Sequence, residues 1–348
     1  ERLWSTSFGR RHLPGRLVDY LSFYASLFLH LLRKPQPGDL VVLKTDPPLL
    51  SIPAWLAAQL RPLRLVAWCQ DLFPEVAVHA LPDFPGRATL FGCLKELRTH
   101  SLNGCEQVVA ISGDMQGMLR ETGVRRPVAC LPNWAVQHAA AAQPDFQALR
   151  REWDLQGRVV LGYSGNLGRA HEIRTILEAL PALSRIPQLT LLFVGGGRGL
   201  EVFREASAAY PANFLHFLPY QQREHLAETL KVPHVHWFSL LPPLTPHVSP
   251  SKFYGILEAG RPVLFIGDPE SALARTIRSQ GCGRVVAPGH VDELVRCVEE
   301  LVGNPDLRQR MGEAARTLAT GSFSRKRRLE AWQQQLEILH ETGGAAPA

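Results

Sequence analysis

The chain has 348 residues, of which 45% are hydrophobic and 20% charged, and a formal net charge of +6. These fractions are those of a globular protein and exclude a disordered or fibrous chain, and the length suits two domains of ordinary size. The longest apolar stretch, residues 21–32, contains Ser22, Ser26 and His30. It falls short of the roughly 20 residues of a membrane span and reads as a core helix.

In chain order, the first feature is a basic cluster. Arg10, Arg11, Arg16, Arg33 and Lys34 surround the amphipathic segment 17–32. Such a cluster is either a solvated face or a patch attracted to anionic lipid headgroups. Four strand patterns follow, at residues 40–44, 65–69, 107–111 and 128–131. Each is short and apolar and is followed by Pro, Gly, Ser or Asp, and helical patterns separate most of them. That is the pattern of a parallel, doubly wound sheet with buried strands. Ligands of such sheets bind beyond the carboxyl ends of the strands. Thr45-Asp46-Pro47-Pro48 and Gln70-Asp71-Leu72-Phe73-Pro74-Glu75 occupy such ends, and so does Asn133. Asp71 is a candidate to orient or deprotonate a hydroxyl; the plainer reading is a turn cap. Residues 134–144, rich in Ala and Gln, read as a linker.

The second half gives six strand patterns, at residues 159–163, 189–194, 214–218, 235–239, 263–267 and 284–287. Helical segments follow at 291–302 and 305–319. The basic run Arg325-Lys326-Arg327-Arg328 opens a last helix whose Trp332, Leu336 and Leu339 share one face. Cys69, Cys93, Cys105, Cys130, Cys282 and Cys297 form no C-x-x-C pair and read as small core residues in a reducing compartment. The 13 histidines show no metal-ligand spacing, and His234 and His236 read as structural. No nucleic-acid-binding motif is present, and aromatics do not interleave with the basic runs.

Two motifs carry chemistry. In Gly162-Tyr163-Ser164-Gly165-Asn166-Leu167-Gly168-Arg169-Ala170-His171-Glu172, an apolar strand runs into a glycine-rich loop and then a helix. That geometry exposes backbone N–H groups to a phosphate, although glycines also make plain tight turns. In Pro250-Ser251-Lys252-Phe253-Tyr254-Gly255, a lysine falls in the first turn of a predicted helix, the end where the dipole disfavours a cation. An anion bound there would explain it, held by free N–H groups and the ammonium.

Together these motifs resemble family-4 retaining glycosyltransferases, and most closely the bacterial enzymes of exopolysaccharide and O-antigen synthesis. The resemblance runs from about Thr6 to Phe323. It implies an α/β GT-B fold of two Rossmann-like, doubly wound parallel-sheet domains facing a cleft: an acceptor domain over residues 1–136, a donor domain over 137–323, and a helix over 324–348 crossing back to the first. It implies transfer of a sugar from a nucleotide-sugar, with a UDP-sugar favoured, to a glycan or polyprenyl-linked acceptor with retention. The strand-end rule assigns the diphosphate to Gly165, Asn166, Ser251 and Lys252, with Gly168, Gly196 and His171 as further donor-site candidates, although the triple glycine 195–197 reads equally as a turn with no ligand role; the resemblance assigns the base to the turn at Leu218 and Tyr220. Asp71, Glu75 and Lys252 are the catalytic candidates. No cofactor is expected beyond the donor. With no Asp-x-Asp sequence, no metal is expected to bridge the diphosphate, so Lys252 and helix N-termini must meet the leaving-group charge. Expected localisation is cytoplasmic, with peripheral contact at the inner face of the plasma membrane as the membrane-linked form of that reading.

The chain departs from the family pattern in three places. Counting back from Gly260, the two expected glutamates fall at Gly255 and near His247, while Glu258, one turn later, is expected to face elsewhere. The ribose contacts are therefore unassigned. Asn166 and His171 stand where the first phosphate loop usually has Arg and Lys. The first half shows four strands against six in the second, so by comparison with the family roughly 50–70 preceding residues are expected to be missing from the acceptor domain, which puts activity of the chain as given in doubt. Two other readings stay open: a sugar-nucleotide 2-epimerase of the same fold, for which no carboxylate and histidine set is found, and a non-catalytic GT-B partner of a membrane or another transferase.

Overall fold

A computed structural model describes residues 2–9, 13–80, 84–134 and 145–343. Arg10, Arg11 and all of the expected linker except Trp134 lie outside the described residues. The chain forms two compact units: one comprises Glu1–Pro132, Pro246–Ser249 and Ala331–Ala348, the other Asn133–Thr245 and Pro250–Glu330.

The first unit runs α1 (Leu13–Arg33), β1 (Leu40–Lys44), α2 (Ser51–Leu60), β2 (Arg64–Trp68), α3 (Glu75–Ala80), α4 (Arg87–Asn103), β3 (Gln107–Ala110), α5 (Gly113–Glu121) and β4 (Val128–Cys130). Its four strands pair in the order β1-β2-β3-β4, all parallel. Helices return the chain across the faces, so the strands read as continuous apolar runs. Val66, Val108, Val109 and Ala110 are fully buried. α1 was expected to be a core helix, and it is one on a single face. Leu27 and Leu31 enter the core of the first unit, while Leu17, Leu21 and Leu29 are exposed, because the segment's apolar residues extend round more of the helix than one contact face covers.

The second unit runs α6 (Phe146–Glu152), β5 (Val159–Asn166), α7 (Arg174–Leu183), β6 (Leu189–Gly196), α8 (Arg198–Ala206), β7 (Leu215–Leu218), α9 (Leu226–Thr229), β8 (Val235–Ser239), α10 (Lys252–Ala259), β9 (Val263–Ile266), α11 (Ala272–Ser279), β10 (Gly283–Val286), α12 (Val291–Gly303) and α13 (Pro305–Thr320). α14 (Arg325–Gly343) begins in this unit, but from Ala331 it belongs with the first. There Trp332 packs on Trp68 at 4.7 Å between ring centroids, and Arg64 Nη2 donates to the Leu339 carbonyl.

The six strands of the second unit order as β10-β9-β8-β5-β6-β7, all parallel. The order reverses between β5 and β8, and a crevice opens at such a point beyond the carboxyl ends. β5 and β6 run further than their apolar residues suggest. Gly165 pairs with Gly195 and Asn166 with Gly196, so residues expected to form a loop are the last rungs of a ladder. Only glycine fits there. Gly195 has φ +134°, and a Cβ on it would lie 2.3 Å from the Gly165 carbonyl oxygen. The core of this unit is aromatic: Phe193 lies 4.7 Å from Phe203, and Tyr163 lies 4.9 Å from Trp237. No helix among the described residues is long and apolar enough to cross a membrane, and no disulfide occurs among the described residues.

Phe193 is fully buried among three ring neighbours, Phe203, Phe217 and Trp237. Phe193→Ala should lower stability by about 3–5 kcal/mol. In urea unfolding the midpoint should fall with little change in slope; an unchanged midpoint would contradict this packing.

Candidate functional site

The reversal point of the second sheet is built by four chain segments. β5 delivers Ser164, Gly165 and Asn166, and the end of β7 leads to Tyr220. β8 contributes Trp237 and Ser239, and the loop after it leads to Ser251 and α10. Ser164, Gly165, Tyr220, Ser251 and Lys252 line one cavity of about 550 Å³, together with Trp134, Gln221, Glu224, Gly255 and Glu258. That volume lies in the range of small-molecule sites. Its wall includes two buried polar atoms without a hydrogen-bond partner, Ser164 Oγ and Trp237 Nε1.

Lys252 is the first residue of α10. Its Nζ lies 3.5 Å from the Asn166 carbonyl, 3.4 Å from His171 Nε2 and 5.2 Å from the centre of the Tyr163 ring. Its stem lies against Gly165, where a Cβ would approach Lys252 Cε to 3.1 Å at φ +119°. Every one of these partners is neutral. No ion pair of Lys252 with a carboxylate occurs among the described residues. Burial pulls the ammonium down to about 8, against about 10.4 for a free lysine.

His171 supports that lysine. Its Nδ1 is 2.7 Å from the Ser239 carbonyl, so Nδ1 carries the proton and Nε2 accepts. Nε2 lies 3.1 Å from the Tyr163 hydroxyl, which is itself 2.8 Å from the Asn166 carbonyl. Burial first, and the charge of Lys252 second, pull the ring down to about 4. A neutral imidazole therefore points its lone pair at the ammonium.

Of the residues expected to bind donor, Gly165, Tyr220, Ser251 and Lys252 line the cavity. Asn166 and His171 reach Lys252 from behind, and Gly196 packs under Tyr220, whose Cε2 would lie 3.2 Å from an added Cβ. Gly168 and Leu218 are not on the cavity wall: the Gly168 carbonyl accepts from the His171 amide, and Leu218 packs on a buried cluster with Val194. Glu258 differs from expectation. Positions 251, 255 and 258 fall on one face at helical spacing, so Glu258 lines the cavity beside Ser251 and Gly255 rather than facing elsewhere. Trp134, Gln221 and Glu224 carry no sequence motif that marks them.

In the first unit, Asp71 follows β2. Its backbone forms an antiparallel bridge with Val248, and the Leu72 amide donates to the His247 carbonyl. Burial first, then the charge of Asp46, raise the Asp71 carboxyl above the usual range against the pull of Lys44. Glu75 is engaged elsewhere. It pairs with the buried Arg98 guanidinium at 2.5 Å, and Arg98 Nη1 also donates to the Phe73 carbonyl. Burial would raise the Glu75 carboxyl, but the charge and hydrogen bond of Arg98 hold it below its ordinary value.

A family model for glycosyl transferases group 1 matches residues 145–318, half of the chain. The chain belongs to the glycosyl transferases group 1 family. This group 1 glycosyl transferase is 25% identical to the probable glycosyltransferase WbjE of Pseudomonas aeruginosa, over 80% of its own length and 70% of that protein. It is 26% identical to WcaI of Escherichia coli K12, named for glycosyl transfer in colanic acid biosynthesis, over 82% of its length and 72% of that protein. Among solved structures it is similar to the sucrose-phosphate synthase of Thermosynechococcus elongatus, with TM-score 0.74, 15% identity, and coverage of 98% of this chain and 83% of that one. HepE of Anabaena in complex with UDP gives TM-score 0.73 at 15% identity, covering 94% and 83%. At such identities the likeness shows the fold, which is GT-B.

The unfolded chain holds the Lys252 proton up to about pH 10.4, the folded one to about 8. Between these values the unfolded state binds more protons, so stability should rise with pH across that window. Lys252→Met should be more stable than the parent at pH 7 by on the order of 1 kcal/mol, and the difference should shrink above pH 8. Thermal unfolding across that range checks this. A variant less stable at pH 7, or a difference independent of pH, would contradict a desolvated charge.

Proposed function

We propose that this chain transfers a sugar from a nucleotide-sugar, a UDP-sugar in the favoured form, to a glycan or polyprenyl-linked acceptor in surface polysaccharide assembly. The observation that carries the reading is Lys252: an ammonium at a helix N-terminus, walled by neutral partners, in a cavity of small-molecule size. A diphosphate is the ligand that answers it, held by the ammonium, the first-turn N–H groups of α10 and the Ser251 hydroxyl. Gly165, at the end of β5 and on the cavity wall, leaves its backbone open to phosphate oxygens. The UDP bound by HepE supports this choice of nucleotide, and the colanic acid assignment of WcaI supports the pathway class.

In the proposed reaction the anomeric carbon loses its bond to the diphosphate oxygen and gains one to the acceptor hydroxyl. Lys252 and the helix N-terminus stabilise the charge that builds on the leaving group, which is how preorganised electrostatics speed such a step. This needs no bridging metal. The transition state is oxocarbenium-like, and the acceptor enters on the face the diphosphate leaves, which retains configuration as in family 4. Asp71 orients the acceptor hydroxyl or takes its proton. Its raised carboxyl suits proton uptake better than that of Glu75, which is committed to Arg98 and acts as a positioning residue. A cytoplasmic enzyme touching the inner membrane face fits the exposed Leu17, Leu21 and Leu29 beside Arg16, Arg33 and Lys34.

Two variants separate donor binding from transfer. Lys252→Ala should weaken UDP binding roughly 10- to 100-fold in calorimetry, the usual worth of a charge-assisted hydrogen bond. Asp71→Asn should keep UDP affinity and lose transfer by roughly 100-fold or more, read as incorporation from a panel of UDP-sugars into a lipid extract. UDP affinity that ignores Lys252→Ala would sink the donor assignment, and no nucleotide binding by the folded chain would favour a non-catalytic partner.

A further inference from the structure

The opposite edge of the second sheet carries a second concentration of positive charge. The amino ends of β5, β8 and β9 meet there, roughly 25 Å along β5 from Lys252. Arg150 comes from α6, His234 precedes β8, Arg261 precedes β9, and Arg308 and Arg316 come from α13. Arg150 is buried, with Nη2 donating to the Arg158 carbonyl at 2.8 Å. Arg261 donates through Nη2 to the Lys231 carbonyl at 2.5 Å, and its guanidinium lies 5.3 Å over the Phe146 ring. Arg308 Nη1 reaches the carbonyls of Leu301 and Val302, and Arg316 lies against Gly260, where its Nη2 would be 2.7 Å from an added Cβ.

Capping of carbonyl groups explains part of this cluster. It leaves two things over. First, the charges are uncompensated. Arg150, Arg261 and Arg308 are each depressed by burial, and Arg150 and Arg261 also by other arginines. None of them forms an ion pair with a carboxylate among the described residues. Second, donors outnumber acceptors. The Val160 amide donates to His234 Nδ1 at 2.9 Å, which makes that nitrogen an acceptor and puts the neutral ring's proton on Nε2. Nε2 faces Arg150 Nη1 at 2.8 Å and Nδ1 lies 3.3 Å from Arg150 Nη2, so the Val160 amide and Arg150 share a single ring acceptor while Nη1 and the Nε2 proton meet as two donors. The Arg261 Nε is buried and has no partner at all.

An acceptor of several hydrogen bonds carrying negative charge resolves both features. We propose that this edge is a second anion site, which takes one phosphate group of a small soluble anion between Arg150, His234, Arg261 and Arg308. Arginine's planar fork suits phosphate oxygens. Arg150 and His234 supply the inner donors, Arg261 Nε a lateral one, and the half-exposed Arg308 the mouth. The site stands whether or not the Lys252 cavity takes a nucleotide, because no residue is shared.

The probe is inorganic phosphate, titrated into the whole chain with UDP in excess and with chloride matching the ionic strength. Calorimetry and the imidazole nitrogen signals of His234 report binding. The expected result is saturable binding of one phosphate per chain, a shift of the His234 Nε2 signal, and roughly tenfold weaker binding in Arg261→Gln. Arg308→Gln, on the half-exposed side, provides a second variant should the first fail to fold; it should also weaken binding while leaving UDP affinity unchanged. No saturable binding, displacement by UDP, or affinity indifferent to both variants would overturn the proposal.

Discussion

Lys252 places a full charge in the first turn of α10, where every neighbour within hydrogen-bond reach is neutral. A helix N-terminus already carries partial positive charge, so the fold concentrates like charge at one point and dries it. The cost appears as an ammonium drawn down to about 8. Such an arrangement is poor for stability and well suited to an anionic ligand, and strain of this kind collects at functional sites. His171, Tyr163 and the Asn166 carbonyl do not neutralise the charge. They aim it.

The sheet makes this possible through its order. Because β5 and β8 are neighbours while the chain leaves them in opposite directions, their carboxyl ends open a crevice that no connection covers. The paired glycines at the ends of β5 and β6 then remove side chains from the floor of that crevice, so that backbone and the Lys252 stem share the space. In the first unit the carboxyl end of β2 shows a different logic. Two acidic residues four positions apart have separate fates: Asp71 is raised by burial and Asp46, while Glu75 is claimed by Arg98. Environment, not residue type, divides their roles.

Much of the fold was legible in the sequence, because buried parallel strands are continuous apolar runs with turn residues behind them. All ten strands among the described residues fall where such runs occur, and the charge of Lys252 contradicts its place on a helix. The ends of β5 and β6 were not legible. Glycine at positive φ can continue a ladder as well as break it, and only the register of Gly165 with Gly195 distinguishes the two. Helical spacing sets Glu258 with Ser251 and Gly255 on the cavity wall, which a count back from Gly260 along the family pattern does not show. The network joining Lys252 to His171 and Tyr163 is also invisible in one dimension. So is the arginine cluster, whose members spread from Arg150 to Arg316.

The most direct measurement is the pKa of Lys252 itself, followed by NMR of its side-chain carbon and nitrogen with and without UDP. An ammonium waiting for a diphosphate should titrate near 8 in the free protein and move upward by a unit or more, roughly, once the anion is bound, since an opposite charge favours the protonated form. A titration that stays near 8 or falls when UDP binds would show that the nucleotide does not pair with this lysine, and the account of the site would fail.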